Sequence, residues 1–400
     1  MPGRATPPRP HIAVVVPSLV HAGAERVAVM LTKEFSRVAH VTVVTFDPPL
    51  SRRALRQASN PPWSMRVPPG CDHVHLPATS SGLSRLVLLA VGLARLSRRR
   101  NFDAVYSFLT YSNIVSSLAL PLAGGRYVLI ASEHAMADSL KSGGTRKRLL
   151  SRILPVVYRL PHRLVVVSDS ARLSLMDAGA VRRPDRAVTV YNPIDVAAVR
   201  DLSEQPPPDL DLGRPGQGTF VVACFARLHR QKDHQTLMWA VSLLPPTYSL
   251  LLVGDGPLRP ELERLASDLG IADRTAFVGV LDNPFPLMRQ VDVVALSSVE
   301  EGFGLVALEA AALGVPFVGS ACGGLGEICR LLQHPTFPTG DSSSLASVIV
   351  ELTTGVTHSV PSQVLDRFDL TRVARTYLSL ATCALPRSAV RLTGAGRGTT

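Results

Sequence analysis

The fold of the second half of the chain is decided by residues 297–311, which have the sequence Ser-Ser-Val-Glu-Glu-Gly-Phe-Gly-Leu-Val-Ala-Leu-Glu-Ala-Ala. They follow an apolar run at residues 291–296 that predicts a buried strand, and their Ala- and Leu-rich end predicts a helix. Gly302 and Gly304 lie in the turn between the two. The first N–H groups of a helix have no intrahelical partner, so a glycine-bearing turn here favours the binding of a phosphate.

Two carboxylates frame this turn, Glu301 before it and Glu309 eight residues later. A carboxylate repels a phosphate, but it accepts hydrogen bonds from hydroxyl groups. A phosphate site between two hydroxyl acceptors suits a sugar that is joined to a nucleotide. Glu309 has an alternative interpretation as a helix residue with a solvated carboxylate, although its Ala and Leu neighbours favour burial.

This ordered set of residues resembles the donor-site signature of the retaining glycosyltransferases of family four, also called glycosyl transferases group 1. Glu301 and Glu309 have the family's spacing, with Gly-Phe-Gly after the first glutamate. Two further matches are Gly314-Val315-Pro316 and Gly323-Gly324-x-x-Glu327. The resemblance covers about residues 14–380. It implies the GT-B fold, an α/β fold of two doubly wound, Rossmann-like domains that face a cleft.

The length of 400 residues, with 46% hydrophobic and 18% charged residues, suits two domains. We predict an N-terminal acceptor-binding domain at residues 1–198, a Pro- and Gly-rich linker at 199–218 and a C-terminal nucleotide-sugar-binding domain at 219–365. A C-terminal helix at 366–383 is expected to return toward the N-terminal domain, followed by a disordered tail at 384–400. The five cysteines include no Cys-x2-Cys pair, which indicates neither a disulfide framework nor a zinc site.

Two cations follow the first predicted strand of the C-terminal domain, at residues 220–225. Arg227 and Lys232 match the family pattern Gly-Arg-Leu-x-x-x-Lys, with Ala226 in place of its glycine. A planar guanidinium binds two phosphate oxygens at once and an ammonium adds a point charge, as a nucleoside diphosphate requires. We therefore predict that both residues act in catalysis, by binding the diphosphate. The alternative is two surface cations without a function.

The resemblance implies roles for further donor-site residues. Glu301 would act in catalysis by binding hydroxyls of the transferred sugar, with a covalent role as the less favoured alternative, and Glu309 would bind the ribose hydroxyls. Gly254 and Val280 would lie beside the nucleoside base. The remaining donor-binding residues follow Glu301 and would contact the diphosphate through their backbone: Gly302, Phe303, Gly304 and Leu305.

The N-terminal half carries two predicted site residues. Gly23 lies in a loop that matches the family's Gly-Gly-Ala-Glu-Arg except for Ala22 at the first glycine, and in the family this loop faces the donor. His134 follows a predicted strand, at the end where open α/β sheets bind ligands. The resemblance implies a catalytic histidine here, near the transferred sugar. The alternatives are a plain strand-to-helix turn for Gly23 and a buried histidine without chemistry for His134.

The sequence indicates no cofactor and no metal ion. It contains no Asp-x-Asp metal motif, and Arg227, Lys232 and the amides after Glu301 would stabilise the leaving diphosphate. The resemblance implies retention of anomeric configuration, and a UDP-sugar is the default donor because it is the commonest one in the family. We expect a retaining, metal-independent hexosyltransferase. Alternatives are a sugar-nucleotide epimerase or phosphorylase on the same fold, or a non-catalytic membrane-binding scaffold.

The charge is distributed unevenly along the chain. Residues 1–200 contain 27 basic and 11 acidic residues, a net charge of +16, whereas residues 201–400 contain 15 and 20, a net charge of −5. The basic, apolar-striped segment at residues 141–163 suits an anionic membrane surface, with a solvated helix face as the alternative. Residues 83–100 predict either a core-packed helix with a cationic end or a helix lying on a membrane.

From this distribution we expect a cytoplasmic protein that is peripheral on the inner face of the cell membrane. Its acceptor would be a cell-envelope glycan or a lipid-linked molecule, and its donor a nucleotide sugar. Nucleic acid is not expected as a partner.

Overall fold

The computed structural model describes residues 9–19, 23–46, 66–77, 82–136, 152–208, 219–355 and 360–384. These residues form two compact units. The first unit contains the described residues before Ile194 together with those from Leu370 onward. The second unit contains Ile194–Asp369.

The first unit is built on a parallel sheet of seven strands in the order β3-β2-β1-β4-β5-β6-β7. Its central strands are rich in Val, Ile and Ala and are buried along their length, as expected where helices cover both faces of a parallel sheet. The strands are β1 (His11–Val15), β2 (His40–Thr45), β3 (Asp72–His75), β4 (Ala104–Phe108), β5 (Val128–Glu133), β6 (Arg163–Val166) and β7 (Ala187–Thr189).

The described residues before residue 194 form four named helices, and residues 152–157 are also helical. Helix α2 buries Leu89 and Leu93 in the same apolar core as Ile114 and Val115 of α3 and Leu129 of β5. The helices are α1 (Gly23–Phe35), α2 (Gly82–Arg100), α3 (Thr110–Leu122) and α4 (Asp169–Asp177).

The second unit contains a parallel sheet of six strands in the order β10-β9-β8-β11-β12-β13. The strands are β8 (Phe220–Phe225), β9 (Tyr248–Val253), β10 (Thr275–Gly279), β11 (Val293–Leu296), β12 (Phe317–Ser320) and β13 (Thr336–Phe337). Its helices are α5 (Val196–Ser203), α6 (His234–Ser242), α7 (Arg259–Asp268), α8 (Phe285–Met288), α9 (Leu305–Leu313), α10 (Gly323–Leu331), α11 (Ser342–Thr354) and α12 (Ser362–Leu365).

The last helix, α13 (Leu370–Ala384), packs in the first unit. Its Tyr377 is fully buried, and the Tyr377 hydroxyl lies 2.9 Å from the Ser132 hydroxyl at the end of β5. The hydroxyl of Tyr106 in β4 donates to the Tyr377 carbonyl at 3.3 Å. The chain therefore returns to the first unit after it has built the second.

The prediction of two doubly wound α/β domains is confirmed, because in each sheet the strand order reverses beside the first strand of the unit. The structure differs from the predicted domain limits near residue 198. Asp195 caps α5 by accepting from the Ala198 N–H at 3.0 Å, and α5 buries Val199. Part of the predicted linker is therefore helix, while residues 209–218 and 385–400 lie outside the described residues.

Candidate active site

The predicted donor-site residues follow strands that neighbour one another in the second sheet. Arg227 follows β8, Gly254 follows β9, Val280 follows β10 and Glu301 follows β11. Because these strands are parallel, their carboxyl ends meet at one edge of the sheet. The strand order reverses between β8 and β11, and this is the position where open α/β sheets bind ligands.

Lys232 and Glu301 form an ion pair at this edge. Lys232 ends a short 3-10 turn, Arg230–Lys232, and its ammonium donates to Glu301 Oε2. The two side chains are 22% and 17% exposed, so solvent reaches both. A carboxylate has lone pairs for several hydrogen bonds, so Glu301 can still accept from hydroxyl groups. The pair therefore places an ammonium group, a cation suited to binding phosphate, beside a carboxylate that accepts hydrogen bonds from hydroxyl groups.

Hydrogen bonds join the loops after β8 and β11 around this pair. The Gln231 side chain donates to the Glu300 carbonyl at 3.0 Å, and the Val299 N–H donates to the Gln231 carbonyl at 3.0 Å. The Ser297 hydroxyl donates to the Asp233 carbonyl at 2.7 Å. Sequence reasoning missed Gln231, which occupies one of the variable positions of the Arg-Leu-x-x-x-Lys pattern. The two loops therefore act as one support for Lys232 and Glu301.

Arg227 is exposed beside these loops, and no carboxylate within the described part of the chain forms an ion pair with it. Its neighbour Leu228 is buried, and the Leu228 N–H donates to the Asp255 carbonyl at 3.0 Å. The Gly254 N–H donates to the Gly279 carbonyl at 2.8 Å, which links the loop after β9 to the last residue of β10. A fixed backbone therefore presents the Arg227 guanidinium at the edge of the sheet.

The predicted phosphate turn has the expected geometry. Gly304 is the N-cap of α9 with a left-handed backbone, φ 91° and ψ 62°, which glycine adopts without a steric penalty. Helix α9 begins at Leu305, and its first turn contains no acidic residue. No carboxylate in the first turn of α9 therefore neutralises the positive end of the helix dipole. This favours the binding of an anionic ligand there.

Gly324 supports this turn from the next loop of the sheet. A Cβ at position 324 would lie 2.0 Å from the carbonyl oxygen of Gly302, so no other residue fits without a backbone shift. The Gly324 N–H donates to the Glu301 carbonyl at 2.8 Å. Gly324, the second glycine of the Gly-Gly pair in the sequence signature, thus packs directly against the backbone at residues 301–303.

Glu309 lies in the second turn of α9 and is 4% exposed. This burial rules out the solvated helix face that was the alternative interpretation. A buried carboxylate requires hydrogen-bond partners. Its role as a ribose ligand stays a prediction.

His134 lies at the carboxyl end of β5 in the first unit, half-buried. Its Nε2 is 3.1 Å from the Ser132 hydroxyl, and its ring lies 5.9 Å from the ring of Phe108. Burial lowers the pKa of His134 to about 3, so the imidazole is neutral at physiological pH. It can form hydrogen bonds to a sugar but cannot supply a positive charge. Gly23 begins α1, and Ala22 lies outside the described residues.

Glu133, which sequence analysis left without a role, organises the turn that carries His134. It is fully buried, and its Oε1 accepts from the N–H groups of His134 and Ala135 at 2.9 and 3.0 Å and from the Thr110 hydroxyl at 3.0 Å. Its Oε2 accepts from the Tyr158 hydroxyl. Burial raises the pKa of Glu133, while these hydrogen bonds act in the opposite direction.

We expect Glu133→Ala to destabilise the protein by about 2 to 4 kcal/mol, because the buried carboxylate is removed and the four groups that donate to it lose their acceptor. Glu133→Gln should cost less, since its carbonyl can replace Oε1 and the Tyr158 hydroxyl can turn to accept from the amide. A raised pKa in the folded state means that wild-type stability falls as pH rises above the usual carboxyl range. In urea unfolding, the free energy of unfolding of the Gln variant should therefore rise relative to that of wild type as pH rises. A difference between the two that does not change with pH would contradict this account.

Family models and related proteins place this chain in a known family. The model described as Glycosyltransferase Family 4 matches residues 21–198, and the one described as Glycosyl transferases group 1 matches residues 219–354. Together they account for most of both units. The chain belongs to the family-four, group 1 glycosyltransferases, and its fold is GT-B, as predicted.

Three similar proteins illustrate the relationship. The chain is 29% identical over 272 residues, 66% of its length, to the N-acetyl-alpha-D-glucosaminyl L-malate synthase of Bacillus anthracis, and spans 68% of that protein. It is 23% identical over 57% of its length to an N-acetylgalactosaminyltransferase of Campylobacter jejuni, named for a diphospho-undecaprenol substrate, and spans 60% of it. The crystal structure of Anabaena HepE with UDP and glucose has a TM-score of 0.75 at 22% identity, covering 92% of this chain and 98% of that one.

Proposed function

We propose that the chain transfers a hexose from a UDP-sugar to a lipid-linked or cell-envelope glycan acceptor, with retention of anomeric configuration and without a metal ion. The observation that carries this proposal is the Lys232–Glu301 ion pair beside the phosphate turn at the carboxyl edge of the second sheet. Arg227, exposed at the same edge, provides a second cation. The site thus combines charge for a diphosphate with an acceptor for sugar hydroxyls.

In the proposed reaction the bond between the anomeric carbon and the diphosphate oxygen breaks, and its electron pair stays with the diphosphate. Arg227, Lys232 and the N-terminal amides of α9 stabilise the charge that develops there, as fixed cations and dipoles do in other enzymes. The acceptor oxygen forms the new bond on the face that the diphosphate leaves, and its proton passes to the released phosphate. Glu301 binds sugar hydroxyls during this step.

The related proteins support the substrate classes of this proposal. The HepE complex contains UDP and glucose, which supports a UDP-sugar as donor. The name of the Campylobacter relative includes diphospho-undecaprenol, which supports a lipid-linked acceptor. The two family models describe glycosyltransferases and match both units, so an epimerase, a phosphorylase or a non-catalytic scaffold is not favoured.

Thermal unfolding in the presence of UDP-, GDP- and ADP-sugars tests the donor part of this proposal. A ligand at 100 times its dissociation constant adds about 2.7 kcal/mol of stability. We expect UDP-sugars to raise the melting temperature, equally with and without EDTA. A rise with GDP- or ADP-sugars alone would contradict the UDP assignment, and a rise that EDTA abolishes would contradict metal independence.

A further inference from the structure

Helix α13 brings a tyrosine to the end of the strand that carries His134. Like the other helices in the described part of the chain, α13 is not both long enough and apolar enough to span a bilayer. Its buried side packs against α1 and β5. There the ring of Tyr377 lies 6.0 Å from the ring of Phe108, and its backbone carbonyl accepts from the Tyr106 hydroxyl. Contacts with β4 therefore hold Tyr377 in place.

A chain of hydrogen bonds connects Tyr377 to His134 through Ser132. The Tyr377 hydroxyl lies 2.9 Å from Ser132 Oγ, and Ser132 Oγ lies 3.1 Å from Nε2 of His134. Tyr377 and Ser132 are each 1% exposed, so bulk water reaches neither hydroxyl. The Ser132 carbonyl accepts from the Asn113 side chain at 2.9 Å and from the Leu109 N–H at 3.1 Å. The backbone of Ser132 is therefore held as well as its side chain.

The direction of these hydrogen bonds follows from the hydrogens that are present. Burial raises the pKa of Tyr377 and lowers the pKa of His134 to about 3, so the phenol keeps its hydrogen and the neutral imidazole has one N–H. Among the described residues the Tyr377 hydroxyl has no second acceptor, so it donates to Ser132 Oγ. In the same part of the chain, Ser132 Oγ has no acceptor for its own hydrogen other than Nε2 of His134.

The opposite tautomer, with the hydrogen on Nε2, would leave a buried hydroxyl hydrogen without an acceptor. Nε2–H would then donate to Ser132 Oγ, and the hydrogen of either Ser132 or Tyr377 would lose its partner. A buried donor without a partner is costly, because folding has removed it from water. The His134 ring therefore carries its hydrogen on Nδ1.

Nδ1 is the ring nitrogen that remains for a ligand. Within the described part of the chain, the hydrogen bond of the His134 ring is the one made by Nε2. Residues 137–151, which follow in the chain and include the first part of the predicted basic segment, lie outside the described residues. His134 lies at the carboxyl end of β5, where open α/β sheets bind ligands. An N–H there donates to an oxygen atom, such as that of a sugar hydroxyl.

We propose that Ser132, held by Tyr377, is a positioning residue that fixes His134 in the Nδ1–H tautomer, so that the imidazole donates a hydrogen bond to a hydroxyl oxygen of a sugar substrate. This deepens the proposed function and rests on it for the sugar. The tautomer itself is a property of the free protein. Helix α13, which follows the second unit in the chain, thus supports a site residue of the first.

Nuclear magnetic resonance of the full chain, isotope-labelled at the histidine ring nitrogens, measures the tautomer. A long-range proton–nitrogen spectrum separates protonated from unprotonated ring nitrogens, and the signals of His134 among the 11 histidines are those that His134→Gln removes. We expect a protonated Nδ1 and an unprotonated Nε2 in wild type. Ser132→Ala should give a mixture of both tautomers, since Nε2 loses its donor. A protonated Nε2 in wild type would overturn the proposal.

A double-mutant cycle tests whether Ser132 acts through His134. The probe is UDP-glucose, and the readout is kcat/KM for the release of UDP. Ser132→Ala should lower kcat/KM about tenfold, and Tyr377→Phe about threefold, because Ser132 can still donate to Nε2 in the Phe variant. In the His134→Ala background, Ser132→Ala should change kcat/KM less than about twofold. A tenfold loss in that background as well would reduce Ser132 to a structural residue and overturn the proposal.

Ser107→Ala is the matched control. Ser107 is a fully buried serine of the neighbouring strand β4, and its hydroxyl donates to Asn113 Oδ1 at 2.7 Å rather than to His134. Thermal unfolding should show a similar loss of stability for Ser107→Ala and Ser132→Ala. The Ser107 variant should keep the wild-type tautomer and a kcat/KM within about threefold of wild type. The same mixture of tautomers in both variants would overturn the role of Ser132.

The positioning role and the proposed function fail on different results. Wild-type activity in His134→Ala would show that the histidine does not serve a sugar substrate, and this would overturn the positioning role while leaving sugar transfer in place. No release of UDP by wild type would overturn UDP-glucose as donor. The tautomer spectra of wild type and Ser132→Ala would then still decide whether Ser132 fixes the His134 ring.

Discussion

Replacing Arg227 or Lys232 with Ala is expected to lower turnover on the order of 10²- to 10³-fold while the fold is retained. Both side chains reach solvent at the carboxyl edge of the second sheet, so neither removal leaves a buried cavity. Their charge acts on a diphosphate whose negative charge grows at the transition state. The effect should therefore appear mainly in kcat, measured by release of the nucleoside diphosphate.

Arg230→Ala is the matched control, because Arg230 is an exposed cation of the same short turn that ends at Lys232. Its activity should stay within about threefold of wild type, since a surface charge that does not contact the diphosphate has little effect on catalysis. If both Arg227→Ala and Lys232→Ala kept activity within the same range, the diphosphate assignment would be wrong.

Gly324→Ala is expected to destabilise the second unit by about 2 to 4 kcal/mol and to abolish donor binding. The new Cβ would lie 2.0 Å from the Gly302 carbonyl oxygen and 2.9 Å from the Phe303 nitrogen. These are backbone atoms of the phosphate turn, so no side-chain rotation relieves the contact. The turn and the start of α9 must shift together.

Gly355→Ala is the control in the same unit, since among the described residues no atom beyond its chain neighbours lies within 4 Å of its added Cβ. Urea unfolding should show the large loss for the Gly324 variant and a change below about 1 kcal/mol for the Gly355 variant. Equal stability of the two variants would show that Gly324 does not constrain the turn.

The sequence was sufficient to predict the fold and to bring the candidate donor-site residues to one edge of the second sheet. Buried parallel strands appear as apolar runs such as residues 220–225, and Gly304 marks the start of α9. In a doubly wound sheet, residues that follow adjacent strands share one edge, so Arg227 and Glu301 could be placed together before any distance was known. The family resemblance then supplied their roles.

The sequence did not predict contacts between distant segments. The Lys232–Glu301 pair joins residues 69 positions apart, and Glu133 binds donors from Thr110 and Tyr158 on other elements. Such pairs depend on the conformation of the loops, and the order of residues in the sequence does not determine that conformation. Helix α5 had a local signal, the cap residue Asp195, but the Pro-rich run that follows favoured a linker.

Helix α2 is a further example of packing that the sequence did not predict. Residues 83–100 predicted either a core helix or a membrane helix, and the spacing of leucines suited both. The structure buries Leu89 and leaves Leu88 exposed, so one helix has a core face and an apolar solvent face. Only the packing of α2 against its neighbouring elements shows which leucines face the core and which face solvent.

The central claim is that the carboxyl edge of the second sheet binds the diphosphate of a nucleotide sugar. Its most direct test compares the thermal stabilisation by UDP of wild type and of the Arg227→Ala, Lys232→Ala double variant. At 100 times the wild-type dissociation constant, wild type should gain about 2.7 kcal/mol. The double variant, with the same melting temperature in buffer, should gain almost nothing. Equal stabilisation of the two proteins would contradict the claim and place the UDP site elsewhere.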